Sequence, residues 1–180
     1  MQKFIEVISK SIEDLYDKEK IEEFLKMIEE AKRIYTAGIG RSGLVAKAFA
    51  MRLMHLGYTA FVIGETITPR IGNGDLLIAI SGSGETPYVL GLVKKAKELG
   101  AKTVAITSNP ESRISKISDF TIVLKRKFGK EVSKIAPLGT IFELTALLFL
   151  EGIVAEIMEK KNINEEDLAR RHSIENEVSL

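Results

Sequence analysis

Hydrophobic residues recur along the chain with two different periods, and these predict alternating helices and strands. Near the N-terminus they return every three or four positions, which is typical of amphipathic helices, and two such helices are expected before residue 31. Further along, short runs are apolar at nearly every position, which is typical of strands buried on both faces. These runs lie at 34–37, 59–63, 75–80, 103–106 and 120–124. Further helices are predicted at 44–56, 87–99, 112–117, 139–161 and 165–171.

This alternation predicts an α/β fold, a three-layer α/β/α sandwich around a five-stranded parallel sheet. Five strands fit a doubly wound sheet with flavodoxin-like strand order. We expect one domain over residues 1–180, with an N-terminal helical extension at 1–30, a core at 31–162 and a C-terminal tail at 163–180. Ligands of such sheets bind at the carboxyl ends of the strands, so the turns that follow the strands are where functional residues are expected.

The turn after the third predicted strand is rich in small and hydroxylated residues. It reads Ser-Gly-Ser-Gly-Glu-Thr at 81–86, and Pro87 then occupies a position favoured at a helix start. Backbone amides, three hydroxyls and the positive end of a helix dipole together favour a phosphate group. Turn formation and helix capping by Thr86 are the structural alternative, but they do not require serines and glycines to alternate. The residues expected to bind phosphate here are Ser81, Gly82, Ser83 and Thr86.

A second glycine-rich turn follows the first predicted strand. It reads Gly-Ile-Gly-Arg-Ser-Gly at 38–43 and matches the dinucleotide fingerprint, with Glu65 placed where a ribose-binding acid would lie. Against a dinucleotide, a cation and a hydroxyl at the variable positions suit a compact polar ligand, and a nicotinamide site has no need of the second turn. A chain of 180 residues also leaves little room for a separate substrate domain. The residues expected to contact a phosphosugar here are Gly40, Arg41, Ser42 and Glu65.

Composition narrows the classes of function. The absence of cysteine excludes disulfides, thiolate metal sites and cysteine nucleophiles, and two histidines argue against a multi-histidine metal centre. A formal net charge of +1 gives no overall field that would attract nucleic acid or a membrane. The N-terminal residues lack the apolar core of a signal peptide. We therefore expect a cytoplasmic protein with no nucleic-acid or membrane partner, no metal and no other cofactor.

The two glycine-rich turns together resemble the sugar isomerase (SIS) domain family, whose members bind phosphosugars on a five-stranded parallel sheet. Four further segments are similar to the 6-phospho-3-hexuloisomerases of that family, so that the resemblance runs from about residue 30 to 172. These segments are Phe-Ala-Met-Arg-Leu-Met-His-Leu-Gly at 49–57, Val-Ile-Gly-Glu-Thr-Ile-Thr-Pro at 62–69, Pro-Leu-Gly-Thr-Ile-Phe-Glu at 137–143 and Arg-Arg-His at 170–172. The resemblance implies interconversion of D-arabino-hex-3-ulose 6-phosphate and fructose 6-phosphate in the ribulose monophosphate pathway. It also implies a metal-free homotetramer.

Such an isomerisation passes through an enediol, and it needs a base at C2 and a group that stabilises the enolate oxygen. Glu143, in the first turn of the long C-terminal helix, is our first choice for the base, and a favourable position near the helix dipole is its alternative role. His172 is the second choice, in a charged tail that one subunit can lend to its neighbour, and a solvated terminal histidine is the alternative. Glu131 is a weaker candidate. Arg41 is expected to neutralise phosphate or to polarise the carbonyl.

Three further side chains keep two interpretations each. Glu65 either binds sugar hydroxyls or forms a salt bridge with Arg41 or Arg52. His55 is either catalytic or a packed or interface histidine. Glu85 would repel a phosphate dianion, so its side chain is expected to point outward or to pair with a lysine. Two alternative functions also remain, a non-catalytic phosphosugar sensor and an isomerase for another phosphosugar such as arabinose 5-phosphate.

Overall fold

The computed structural model describes residues 1–12, 17–124, 132 and 134–172, and within these ranges it contains seven helices and five strands. The helices are α1 (Gln2–Ile12), α2 (Lys18–Glu30), α3 (Arg41–His55), α4 (Pro87–Glu98), α5 (Arg113–Ile117), α6 (Thr140–Lys161) and α7 (Glu165–Ala169). The strands are β1 (Ile34–Ala37), β2 (Ala60–Val62), β3 (Leu76–Ile80), β4 (Lys102–Thr107) and β5 (Phe120–Val123).

The five strands form one parallel sheet in the order β2-β1-β3-β4-β5, which confirms the predicted flavodoxin-like arrangement. Strand β1 pairs on both sides, since Ile34 lies opposite Ala60 of β2 and opposite Leu76 of β3. The chain leaves β1 toward one edge of the sheet and returns to β3 on its other side. A crevice therefore opens beyond the carboxyl ends of β1 and β3, where ligands bind in sheets of this kind.

Alternate residues of the strands pack on opposite faces of the sheet, which explains why the strands are apolar at nearly every position. On one face Ile34 and Ile78 join a core cluster with α2, α3 and α6. On the other face Tyr35 and Leu77 join a second cluster with α4 and α5. Each fully buried aliphatic side chain contributes about 1.5–3 kcal/mol. The three-layer α/β/α architecture is thus confirmed.

Helix α3 begins at Arg41, three residues before the predicted start at residue 44. The prediction assigned Gly43 to a turn, whereas the glycine lies in the first helical turn. A Cβ atom at that position would lie 2.9 Å from the carbonyl oxygen of Gly38, so glycine is needed for close packing of the helix on the end of β1. As a result, Arg41 projects from the first position of the helix.

The N-terminal helices pack on the long helix α6. The Ser11 hydroxyl of α1 lies 2.8 Å from that of Thr145, and the ring of Phe24 in α2 stacks on Phe149. This packing confirms two N-terminal helices and places them on the sheet face that carries α3 and α6. None of the helices in the described ranges combines the length and apolar character required to span a membrane.

Candidate functional site

Two strand–helix turns and the start of α6 meet at the carboxyl edge of the sheet. The guanidinium group of Arg41, which follows β1, forms an ion pair with Glu143 of α6. Its Nη1 atom also donates a hydrogen bond of 3.3 Å to the hydroxyl of Thr140. Gly82, which follows β3, lies so close to α6 that a Cβ atom there would be 2.9 Å from the ring of Phe142. Residues from three distant parts of the sequence therefore line one crevice.

The loop at 81–86 brings two hydroxyls together and leaves backbone amides without an acceptor among the described residues. Ser81 is buried, and its Oγ atom lies 3.0 Å from Oγ1 of Thr86. The amide groups of Gly82, Ser83 and Tyr88 have no acceptor among the residues that the structure describes. Unsatisfied amides at the start of a helix are the usual ligands of a phosphate group. The loop can therefore bind phosphate without rearranging the hydrogen bonds of its own backbone.

Thr86 occupies the N-cap position of α4, as predicted, but its side chain does not cap the helix. The hydroxyl contacts Ser81 instead, so capping does not account for a threonine at this position. The N-cap residues of α3 and α6, Gly40 and Gly139, also make no side-chain cap. By contrast, side chains cap three other helices, α2 through Asp17, α5 through Ser112 and α7 through Asn164. The helix N-termini at the crevice are thus left open to an anion.

Glu143 is the carboxylate that lies inside the crevice. Its side chain is only 12% exposed and faces the guanidinium group of Arg41. The Oε2 atom is buried and, within the described ranges, receives no aligned hydrogen bond, so Arg41 holds it by charge. Gly139, with φ of 85°, turns the chain into α6 and brings its backbone close to this carboxylate. A carboxylate oxygen without a donor, next to a cation, can accept a proton from a bound substrate.

Glu65 and Ser42 lie near the crevice but make different contacts. The carboxylate of Glu65 lies 2.6 Å from Nζ of Lys47, and both side chains are about half exposed. Of its two interpretations, the salt bridge with Arg41 or Arg52 is therefore wrong, because Lys47 lies within reach of the β2 end. The binding of sugar hydroxyls by Glu65 stays a prediction. Ser42 is the second residue of α3, and its carbonyl group packs against Gly38. Sequence reasoning missed Lys47 because nothing in the pattern distinguishes it from other exposed lysines.

His55 and His172 lie together at the opposite end of α3. Their rings stack with centroids 4.9 Å apart, and His55 is buried, as one of its two interpretations anticipated. Burial, together with the nearby His172 and Arg52, lowers the pKa of His55. At about 1.5 Å of rise per residue, Arg41 and His55 are roughly 21 Å apart along the helix. Within one chain, therefore, His172 does not reach the crevice that holds Glu143.

A cavity of about 430 Å³ lies beside the stacked histidines. Arg52 lines it and pairs with Glu151 at 3.1 Å. The adjacent Arg171 donates a hydrogen bond of 3.2 Å to the carbonyl oxygen of His55 and packs on Gly57. Arg171 and His172 thus dock onto the C-terminal end of α3, where a helix dipole favours positive charge.

Two other candidate residues complete the comparison with the sequence. The side chain of Glu85 points away from the crevice and pairs with Arg113, an arginine instead of the expected lysine. Glu131 lies outside the described residues. In the part of the chain that the structure describes, histidine, aspartate and glutamate side chains form no group of three or more that could hold a metal ion.

Comparison with known proteins gives consistent matches. The model of the SIS domain family matches residues 27–144. The 3-hexulose-6-phosphate isomerase of Methanocaldococcus jannaschii is 44% identical to this chain over 86% of the chain and 83% of the enzyme. The 3-hexulose-6-phosphate isomerase of Bacillus subtilis is 42% identical over 86% of each protein.

A solved structure shows the same similarity in three dimensions. The crystal structure of a Methanococcus jannaschii protein, from which a function of 3-hexulose-6-phosphate isomerase was inferred, superimposes with a TM-score of 0.83 at 40% identity. The superposition covers 96% of this chain and 94% of that one. The similarity therefore extends over nearly the whole of both chains.

Proposed function

The chain belongs to the SIS domain family, and we propose that it catalyses the interconversion of D-arabino-hex-3-ulose 6-phosphate and fructose 6-phosphate. The observation that carries this conclusion is the similarity, over most of the chain, to enzymes from an archaeon and a bacterium that share this activity. The reaction moves a carbonyl group from C3 to C2 and changes no other bond of the carbon skeleton. We place it in the cytoplasm, because phosphorylated sugars do not cross membranes freely.

The phosphate group of the substrate binds to the loop at 81–86 in this proposal. The hydroxyls of Ser81 and Thr86 converge at 3.0 Å, and the amides of Gly82 and Ser83 supply further donors. The positive end of α4 adds to the attraction for a dianion. Binding of the phosphate extends the sugar chain from this loop toward Arg41 and Glu143 across the crevice.

Glu143 acts as the base in the proposed mechanism. Its carboxylate removes the proton from C2, the electron pair forms a double bond between C2 and C3, and the C3 oxygen takes up a proton to give an enediol. Loss of the proton on the C2 oxygen, with delivery of a proton to C3, then completes the isomerisation. Arg41 stabilises the negative charge that develops on the C3 oxygen in the first half of the reaction and on the C2 oxygen in the second half. A correctly placed base of this kind is worth about 10²–10⁴-fold in rate.

A catalytic role for His172 requires a second copy of the chain, because roughly 21 Å of helix α3 separates it from Arg41. We propose a homo-oligomer, a tetramer as the family resemblance implies, in which one subunit brings its His172 to the crevice of another. Helix α3 offers a suitable contact surface, since Leu44, Met51 and Met54 are exposed on it. Exposed apolar side chains in one region are typical of protein–protein contacts.

The test is a coupled assay in which a hexulose-phosphate synthase produces the 3-ketosugar phosphate from ribulose 5-phosphate and formaldehyde. We expect the purified protein to convert the product to fructose 6-phosphate with turnover. Binding of fructose 6-phosphate without turnover would identify a sensor instead. Turnover of arabinose 5-phosphate in place of the hexulose would reassign the substrate while leaving the phosphate site intact.

A further inference from the structure

The proposed phosphate loop, residues 81–86, is fixed to the end of strand β4 and to helix α5 by its own carbonyl groups. The carbonyl oxygen of Gly82 accepts a hydrogen bond of 3.0 Å from the amide of Ser108. That of Gly84 accepts one of 3.1 Å from the amide of Ile114. The Gly82 carbonyl is thus used at the end of β4 and the Gly84 carbonyl at α5, whereas the amides of Gly82 and Ser83 have no acceptor among the described residues. The placement of the loop therefore depends on the end of β4 and on α5.

Glu85 and Arg113 add a side-chain link between the same two segments. The Oε1 atom of Glu85 accepts a hydrogen bond of 2.8 Å from the backbone amide of Arg113, and Oε2 contacts Nε of the guanidinium group. The Nη2 atom of Arg113 also donates to the backbone carbonyl of Glu85 at 3.4 Å. All three bonds have an ionised donor or acceptor, which makes them stronger than bonds between neutral groups. These hydrogen bonds lower the pKa of Glu85, so the carboxylate carries its charge.

The contact between the loop and α5 leaves no free space. Gly84 has φ of 65°, and a Cβ atom at this position would lie 2.0 Å from the hydroxyl of Ser112, the N-cap residue of α5. A displacement of α5 would therefore move the phosphate loop with it. The close packing explains why a link across this contact can affect the crevice, although Glu85 itself points away from it.

Glu85 places a negative charge in the loop that is proposed to bind a phosphate dianion. The two charges repel each other, so a Glu85 side chain with no structural partner would weaken substrate binding. The guanidinium group of Arg113 neutralises this charge, and the ion pair connects the loop to α5. On the proposed function, we infer that Glu85 and Arg113 together form a positioning clamp that holds the loop at 81–86 in the geometry that binds the phosphate group of the substrate.

The experiment measures substrate and phosphate binding in Glu85→Ala. The clamp predicts that KM rises about threefold to tenfold, as expected for the loss of a partly exposed charge-assisted hydrogen bond, while kcat changes less than twofold. The inhibition constant for inorganic phosphate should rise by the same factor. The KM of Glu85→Gln should lie between those of the wild type and Glu85→Ala, because the amide oxygen of glutamine can still accept a hydrogen bond from the backbone amide of Arg113. A decrease in KM for Glu85→Ala would show that the carboxylate only repels phosphate, and would overturn the clamp.

A matched control is Glu111→Ala, which makes the same change of charge two residues before Arg113. Glu111 is exposed and pairs with Lys116 within the α5 region, without contact to the loop. Its KM should stay within twofold of the wild type, and an increase equal to that of Glu85→Ala would assign the effect to overall charge and overturn the clamp. Arg113→Lys, which keeps the charge and loses the forked geometry, tests the same link from the other side, and its KM should also rise.

Phosphate binding by the wild type is measured first, as thermal stabilisation by inorganic phosphate, because it requires no turnover. If the wild type is not stabilised by phosphate and does not isomerise the hexulose phosphate, the proposed function fails. If it does both, and Glu85→Ala and Arg113→Lys bind phosphate like the wild type, the clamp alone fails.

Discussion

Helix α3 carries reactive side chains at both ends, and the two ends are built in different ways. At its N-terminal end, Arg41 contacts Glu143 beside the loop that follows β3. At its C-terminal end, His55 stacks on His172, and Arg171 donates to the backbone of His55. The first group is assembled by turns that directly follow strands. The second exists because a terminal segment docks onto the end of a helix.

The contacts of Arg41 follow from the topology of the sheet, whereas the contacts of His55 depend on one segment of the chain. The carboxyl ends of β1 and β3 flank the point where the strand order reverses, so any chain with this topology brings their turns together. The docking of Arg171 near the last turn of α3 has a sufficient structural reason, because positive charge is favoured there. The proposed base Glu143 and its partner Arg41 lie in one chain, whereas a catalytic role for His172 would need two chains.

The largest effect is expected for Glu143→Gln. Replacing the carboxylate by an amide removes the proposed base and retains its size, so kcat should fall by about 10²–10⁴-fold. Stabilisation of the protein by inorganic phosphate should persist, because the loop at 81–86 is unchanged. The control is Glu159→Gln, an exposed position on the same helix, which should retain wild-type kcat. If Glu143→Gln retained its activity, another residue would have to be the base, and the contrast between the two ends of α3 would no longer hold.

A smaller effect is expected for His172→Asn, and it tests whether the two ends of α3 act in different subunits. If His172 serves a neighbouring crevice as an acid or base, kcat should fall by about 10²-fold, the lower end of the range for such groups. Refolding this variant together with Glu143→Gln should restore activity, because mixed oligomers contain crevices with both wild-type residues. If His172 only docks the tail, the single variant will lose thermal stability and keep kcat.

The next effect concerns the binding of phosphate at the first end. Thr86→Val removes a hydroxyl that contacts Ser81 and does not cap α4. KM should therefore rise about tenfold, which corresponds to about 1.4 kcal/mol, while the free energy of unfolding should change by less than about 0.5 kcal/mol. Asn164→Ala removes a side chain that does cap a helix, and it should lower the free energy of unfolding by about 1 kcal/mol. If urea titrations showed that Thr86→Val and Asn164→Ala lower the free energy of unfolding equally, the role of Thr86 would be structural.

The fold could be predicted closely because its signals are local. A run such as 75–80 is apolar at nearly every position, and only a strand covered on both faces requires that pattern. The start of α3 was misplaced, since the need for Gly43 comes from its contact with Gly38, which the helix itself creates. Two components of the candidate site, the loop at 81–86 and the position of Glu143 at a helix start, follow from the same local signals.

Side-chain partners could not be predicted in the same way. Glu65 pairs with Lys47 and Glu85 with Arg113, although several other cations have similar spacing in the sequence. Which cation lies within reach depends on how helices are placed against the sheet, and periodicity does not determine that placement. The stacking of His55 on His172 depends on the path of the chain after α6. These contacts belong to tertiary packing, and the sequence pattern is silent about them.

The smallest effect, a pH dependence of stability, should come from the second end of α3. Burial lowers the pKa of His55, with further contributions from His172 and Arg52. The unfolded chain binds a proton near pH 6.5, whereas the folded chain binds it only at lower pH, so protons favour unfolding. The stability that neutral His55 provides is therefore complete above about pH 6.5 and declines as the pH falls through the lowered pKa. Among the described residues, Arg171, Glu151 and Glu165 are the other charged side chains that lie around this site.

Urea titrations at about pH 7.5 and pH 5.5, on either side of the ordinary histidine pKa, measure this effect, with His55→Gln as the comparison. The wild type should lose stability between the two conditions, and the variant should lose less, because glutamine does not titrate. Phosphate binding at the first end should be equally strong in both proteins at pH 7.5, since roughly 21 Å of helix separates the two groups. If His55→Gln lost as much stability as the wild type between the two pH values, the pH dependence would come from other groups. Titration of His55 would then make no contribution to stability.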